Sequence, residues 1–409
     1  MLPHSLYSGQ ENARVLFERK TCEEYGMKLS EFAIVRLACA YFFICPGITY
    51  GIFTSRLPAL KAQTGANEAQ IGLVLLCFGG ASLISLFSSS WFLKKWGNRN
   101  LLLYGSITVL IAVILMGIAS NPYFLGLFAM LGGLGTGFVD VSMNTQGVQI
   151  EKKYTVSCMS FMHASYSFGG VIGALSGSVF AGLGYGFLTN TVVMLGIYFL
   201  FLFKAYRYLL PEASEVKEKE DTTVNAFIPF FIIFCGVLAM IAYSCEGAVA
   251  EWGSLFMHGV KGASEQVAAL VYAGFSVTTM FSRFFGDRMR EYFGDMRLCA
   301  AGAVITVSGL SMALFLDGAV SALFGFALMG VGLSPMAPVL FSQAGQYPNI
   351  NVGKACAVVS IFAYSGLLFH PPLLGFIAHG YGLDKAMLVV LGMCIVLFFG
   401  MLALGKIKR

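Results

Sequence analysis

Between Phe32 and Leu404 the chain passes through twelve stretches of about 20 mostly apolar residues, most of them parted by short polar breaks. One such stretch is what a helix needs to cross the hydrocarbon core of a bilayer, where every backbone N–H and C=O must be satisfied inside the segment. Twelve leave no room for a large soluble domain. The spacing predicts an all-α membrane protein of twelve transmembrane helices. Composition excludes an ordinary soluble domain, since 57% of the 409 residues are hydrophobic and only 11% are charged.

Residues 1–31 mix Glu11, Glu18, Glu23 and Glu24 with Arg14, Arg19 and Lys20. A cleaved signal peptide starts with basic residues and continues apolar, so this segment reads as a cytoplasmic tail. Orientation follows from Lys and Arg: 22 fall on the side of the two termini, and Arg56, Lys61, Lys261 and Lys385 fall on the other. Both termini are therefore expected in the cytoplasm. The net charge of +5 reflects loop placement and carries no sign of nucleic-acid binding. The ten Cys and five His show no ligand or disulfide spacing, so no metal and no cofactor is expected.

The charged stretch "YRYLLPEASEVKEKEDTT" divides the chain. It sets a first six-helix half at 32–206, a linker at 207–225, a second half at 226–404 and a short cytoplasmic end at 405–409. Features recur between the halves: Gly97 and Gly294 stand 197 apart, as do Gly135 and Gly332, while Tyr166 and Tyr364 are 198 apart and Tyr185 and Tyr381 are 196 apart. One register for four matches predicts two parallel halves.

Two parallel six-helix halves joined by a charged linker resemble the major facilitator superfamily of transporters over nearly the whole chain. The loop "FLKKWGNRN" and its fuller counterpart "SRFFGDRMREYFGDMR" resemble that family's glycine and basic signature. Glu291 stands where the family has an acid before the loop glycine of the second half, and Lys94 takes that place in the first. "DVSMN", "SFMHASYSFGGVIGALSG", "EGAVAEW" and "SRFFGDRM" resemble a bacterial branch that includes fucose-permease-like and rhizopine-transporter-like proteins. Thr54 occupies the place of the permease's acid in the first span. The resemblance implies the major facilitator fold, a bacterial inner (cytoplasmic) membrane location and a central site between the halves.

The residues that carry chemistry are polar groups inside apolar runs. In "GFVDVSMNTQGVQIEKK", Thr136, Asp140 and Asn144 repeat every four residues and share a helical face. An acid near the bilayer centre costs roughly 2.5–3.5 kcal/mol on insertion scales, which places Asp140 in a wet cavity or in a hydrogen bond to a neighbouring span. Gln146 lies on another face, open to a cavity through a bent helix or to hydrogen bonding between helices. Glu151, beside Lys152 and Lys153, reads as a solvated helix end. In "AYSCEGAVAEWGS", Tyr243 and Glu246 are neighbours on one face, while Glu251 and Trp252 fall toward the outer end as a hydrated acid and an aromatic anchor.

Asp140, Glu246 and His163 are the expected proton-coupling residues. Asp140, Asn144, Gln146, Tyr243, Tyr364 and His370 are the expected substrate contacts, His370 because Pro371 and Pro372 free backbone carbonyls beside it. Arg56 reads as a group that binds an anionic part of the incoming substrate, as an outer gate that clamps an acid such as Glu251, or as a snorkelling arginine. Lys94, Arg99, Arg283, Asp287 and Arg288 read as inner loop locks. Pro46, Pro335 and Pro338 mark kinks in the first and tenth spans.

Enzyme motifs and nucleotide-binding loops are absent from the sequence, so energy must come from a gradient. The function expected is alternating-access transport of a small polar organic solute, a sugar, polyol or amino sugar, by proton-coupled symport. Proton-driven export of an amphipathic compound and ligand sensing without turnover are the alternatives. The partners expected are that solute, protons and the lipid bilayer, with the chain working as a monomer.

Overall fold

The computed structural model describes the backbone of residues 7–156, 158–211, 228–348, 350 and 352–407, and side chains from Glu31 onward except those of residues 160, 287 and 352–354. The side chains of the tail, most of the linker expected at 207–225, the Asp287 side chain and the last two residues lie outside the described residues.

The first half contains α1 (Tyr7–Ser55), the short α2 (Leu57–Thr64), α3 (Glu68–Trp96), α4 (Asn98–Met116), α5 (Pro122–Tyr154), α6 (Met159–Gly182) and α7 (Phe187–Arg207). The second contains α8 (Phe230–Gly259), α9 (Glu265–Phe293), α10 (Asp295–Phe315), α11 (Ala319–Leu333), α12 (Met336–Gly345), α13 (Val352–Tyr381) and α14 (Leu383–Ile407). Among the described residues twelve spans result, because α2 is too short to cross and α11 with α12 make one broken span. The break falls at Ser334–Pro335, where proline cannot donate to the helical ladder. Pro46, by contrast, lies inside a continuous α1. That helix already begins at Tyr7, so the segment expected as a tail has helical backbone leading into the first span.

Helix ends follow local chemistry. Asn67 and Gln70 form a reciprocal capping box at the start of α3, and Asn121 accepts the first free amides of α5 ahead of Pro122. Glu151 is more than a solvated end. Its Oε1 accepts the backbone N–H of Cys158 and Met159 at 2.6 and 2.9 Å and so caps α6.

The repeat is visible in backbone conformation. Gly97 and Gly294 turn their chains at φ 75° and 77°, and Gly65 and Gly262, also 197 apart, do so at 65° and 64°. Gly135 packs on the carbonyl of Gly105, and Gly332 packs on that of Gly302, so one close crossing is built twice.

In the first half α1 packs on α6 and α3 on α5; in the second α8 packs on α13 and α10 on α11. The halves meet where α6 lies on α9 and α3 on α13. Small residues set these distances. A Cβ at Gly133 would stand 2.0 Å from the Phe78 carbonyl oxygen, whereas one at Gly196 meets nothing within 4 Å. Gly133→Val is accordingly expected to lower the melting temperature of the purified protein by several degrees, overpacking costing about 1–3 kcal/mol. Gly196→Ala should leave it unchanged.

Candidate functional site

Helices of both halves enclose a cavity of about 420 Å³. Its wall comes from α1, α3, α5, α6, α8, α9 and α13, while α4, α7, α10 and α14 stand outside it. Of the outer helices α14 is the most apolar, with a mean hydropathy of 2.8, and presents Val396 and Phe399 outward.

The helix ends remote from the termini form the far face. Between described residues, the hydrogen bonds and ion pairs joining the two halves lie toward that face. Ser178 Oγ donates to Gln266 O at 2.9 Å, and Ser254 Oγ to Thr54 O at 2.8 Å. Arg56 Nε lies 3.2 Å from Glu265 Oε1, and His379 Nδ1 lies 4.0 Å from Glu68. A Cβ at Gly72 would stand 2.8 Å from Pro371 O, so α3 and α13 touch backbone to backbone there. The far face is sealed. The cavity continues toward the near face, where exposed His163 and Arg283 line it.

Asp140, His163, Tyr243, Glu246, Glu251, Arg283 and Tyr364 all line the cavity. Asp140 takes a 3.3 Å contact from Asn144 Nδ2, which also donates to the Asp140 carbonyl at 2.8 Å. No cation among the described residues pairs with it. Asn144 therefore acts on the carboxylate and stays off the cavity wall. Glu246 does have a cation, Arg283 NH2 at 3.3 Å, both ends part-exposed. Arg283 thus faces the cavity and not an inner loop.

Gln146 is fully buried and exchanges two hydrogen bonds with the backbone of Leu210, both at 3.1 Å. Its amide holds the chain after α7 and does not reach the cavity. Glu251 is not at an outer rim. Eight further residues of α8 follow it, about 12 Å of helix, so it falls on the cavity wall, and Trp252 is wholly buried. His370 is buried behind it, with Nε2 3.2 Å from Glu251 Oε2. Arg56 is also fully buried, which excludes a snorkelling arginine. It donates to Gly177 O at 3.1 Å and Tyr185 O at 2.7 Å, and the acid it meets is Glu265, not Glu251.

Lys94 and Arg288 are exposed away from the cavity. Arg99 donates to Tyr206 O at 3.0 Å with its guanidinium over that ring. In the second half the loop is tied by Arg290 Nε on Asp295 at 2.9 Å, with Gln343 donating to the same carboxylate at 2.6 Å. Glu291, the acid matched to the family signature, is exposed.

Tyr50, Tyr166, Tyr272, Ser276 and Thr279 also line the cavity. Among 18 tyrosines no single one stands out in a sequence. Tyr166 carried a usable signal, being the repeat counterpart of Tyr364.

A twelve-span bundle of two halves around a central cavity with acids and hydroxyls on a largely apolar wall is the build of a membrane solute transporter. The chain belongs to the Major Facilitator Superfamily, whose family model matches residues 37–349. An uncharacterised MFS-type transporter of Yersinia pestis is 29% identical over 88% of this chain and 91% of its own length. Membrane protein MosC of Rhizobium meliloti is 26% identical over 88% and 87%. The crystal structure of a mutant of the nucleoside transporter NupG superposes with a TM-score of 0.76 at 10% identity, over 90% of this chain and 99% of that one.

Proposed function

We propose that the protein is a proton-coupled symporter of a bacterial inner membrane that imports a small polar organic solute, a sugar, polyol or amino sugar, by alternating access. The observation that carries this reading is Asp140, a carboxylate on the cavity wall with no cationic partner among the described residues. Glu246 stands across the cavity with its charge offset by Arg283. Such a cavity binds protons on its acids while Tyr243, Tyr364 and Ser276 supply hydrogen-bonding groups to a hydroxylated solute. Its volume lies in the range of small-molecule sites.

With both termini in the cytoplasm, the sealed far face is the outer one and the cavity faces inward. Asp140 and Glu246 would then load protons outside and release them inside, and His163, at the inner mouth, would pass them to water. The protein acts as a monomer, since each chain encloses a whole cavity. A second reading, proton-driven export of an amphipathic compound, draws on the apolar part of the wall at Phe78, Leu83, Leu86 and Leu367.

Proteoliposomes separate the readings. Symport is expected to show as solute-driven alkalinisation outside. Proton flux of the opposite sign would establish export, and binding without flux would establish a sensor. The solute is found by screening purified protein for compounds that raise its thermal stability.

A further inference from the structure

Glu251 and His370 form a second titratable cluster, set deeper than Asp140. Both ring nitrogens of His370 face oxygen: Nδ1 lies 3.1 Å from Gly366 O, and Nε2 lies 3.2 Å from Glu251 Oε2. Among the described residues neither Nε2 nor Oε2 has a hydrogen-bond partner, although they lie side by side, and both side chains are about nine-tenths buried. A neutral imidazole carries one N–H and one lone pair, while a carbonyl and an ionised carboxylate only accept. A neutral ring beside an ionised Glu251 would therefore set a lone pair against an oxygen in a buried site, an arrangement that costs free energy. Both contacts can be hydrogen bonds at once only when the pair holds one more proton, as imidazolium with carboxylate or as imidazole with carboxylic acid.

The position of the pair ties that proton to the seal. Gly247 admits the ring against α8, since a Cβ there would stand 2.4 Å from His370 Cε1. Pro371, the next residue, supplies the carbonyl on which Gly72 of the other half packs. Tyr50, also of the other half, donates to Glu251 Oε1 at 3.4 Å.

We propose that Glu251 and His370 form a one-proton site that holds the far face closed when protonated and lets it open when the proton leaves. Its effect on the far face stands on geometry alone; its use in coupling rests on the transport reading above. The sign fits that reading, because an empty symporter must return outward without its proton.

The charged and titratable groups around the pair are engaged elsewhere or neutral. Tyr50 and Tyr272 meet edge to face beside Glu251, and Glu246 on the same helix pairs with Arg283 of α9. Arg56, between α1 and α2, pairs with Glu265 of α9, Glu68 of α3 lies between Lys61 of α2 and His379 of α13, and Cys394 of α14 lies 3.6 Å from Cys245.

The test is hydrogen–deuterium exchange of the full chain in lipid nanodiscs without solute, from mildly acid to mildly alkaline pH, corrected for intrinsic rates. Wild type is expected to lose protection about tenfold at the far-face ends of α3 and α13 as pH rises. In Glu251→Gln the amide donates to Nε2 with no proton to lose, so protection should stay flat. His370→Gln, donating to an ionised Glu251, should be flat as well, and it reads the same site if the first variant folds poorly. A flat wild type, or one pH profile shared by wild type and variants, overturns the proposal. Proton-coupled flux alongside flat exchange would remove this site and leave the transport reading standing; pH-gated exchange without flux would do the reverse.

Discussion

Asp140→Asn is expected to abolish accumulation of the solute against its gradient while exchange of solute across the membrane continues. A membrane potential of 100 mV acts on one coupled charge with about 2.3 kcal/mol, which sustains an accumulation of about fiftyfold. The amide cannot take up and release a proton, and Glu246 alone, its charge offset by Arg283, does not complete the coupling cycle, so that factor should fall to about one. The substitution is nearly isosteric and keeps an oxygen facing Asn144 Nδ2, now 3.3 Å from Asp140 Oδ1, so folding should survive it. Proteoliposomes loaded at an imposed potential and pH gradient give the measurement, with counterflow as the control. Accumulation equal to wild type in the variant would show that Asp140 does not carry the proton.

Breaking the far-face pair should have the next largest effect. Arg56→Met keeps the packed stem but removes the guanidinium from Gly177 O, Tyr185 O and Glu265. Loss of one partner from a buried pair costs about 3–5 kcal/mol. Glu265 is about 30% exposed, which reduces this to roughly 2 kcal/mol, or about thirtyfold in the equilibrium between closed and open far faces. A cysteine at Ser178, buried at the crossing to Gln266, should then react about thirtyfold faster with an impermeant maleimide than in a wild-type background. Glu265→Gln should produce a smaller rise, because the amide removes the charge but keeps the side chain's shape and an oxygen beside Arg56 Nε. An unchanged labelling rate after Arg56→Met would remove the pair from the gate.

Much of this architecture could be read before any contact was known. A helix in lipid must satisfy its own backbone, so the twelve apolar runs define twelve spans whatever they pack against. The 197-residue offset announced the paired halves, and the turns at Gly97 and Gly294 show it in φ. Asp140 was legible for a related reason: a charge inside an apolar run needs a wet or paired place. Glu251 was misplaced because one or two turns of uncertainty at a helix end carry an acid from the rim to the cavity wall. Gln146 had two readings on helical spacing, and only the backbone of Leu210, 64 residues on, chooses between them.

Properties that depend on neighbours along the chain, such as spans, caps, turns and the repeat, were therefore available from the residues alone. Which charges meet was not. Arg56 finds Glu265 across 209 positions, Glu246 finds Arg283, and Glu251 finds His370, each choice made by helix packing that single-chain periodicity does not encode. The closed far face and the inner cavity belong to this second kind, since they depend on how two bundles with similar faces lean on one another.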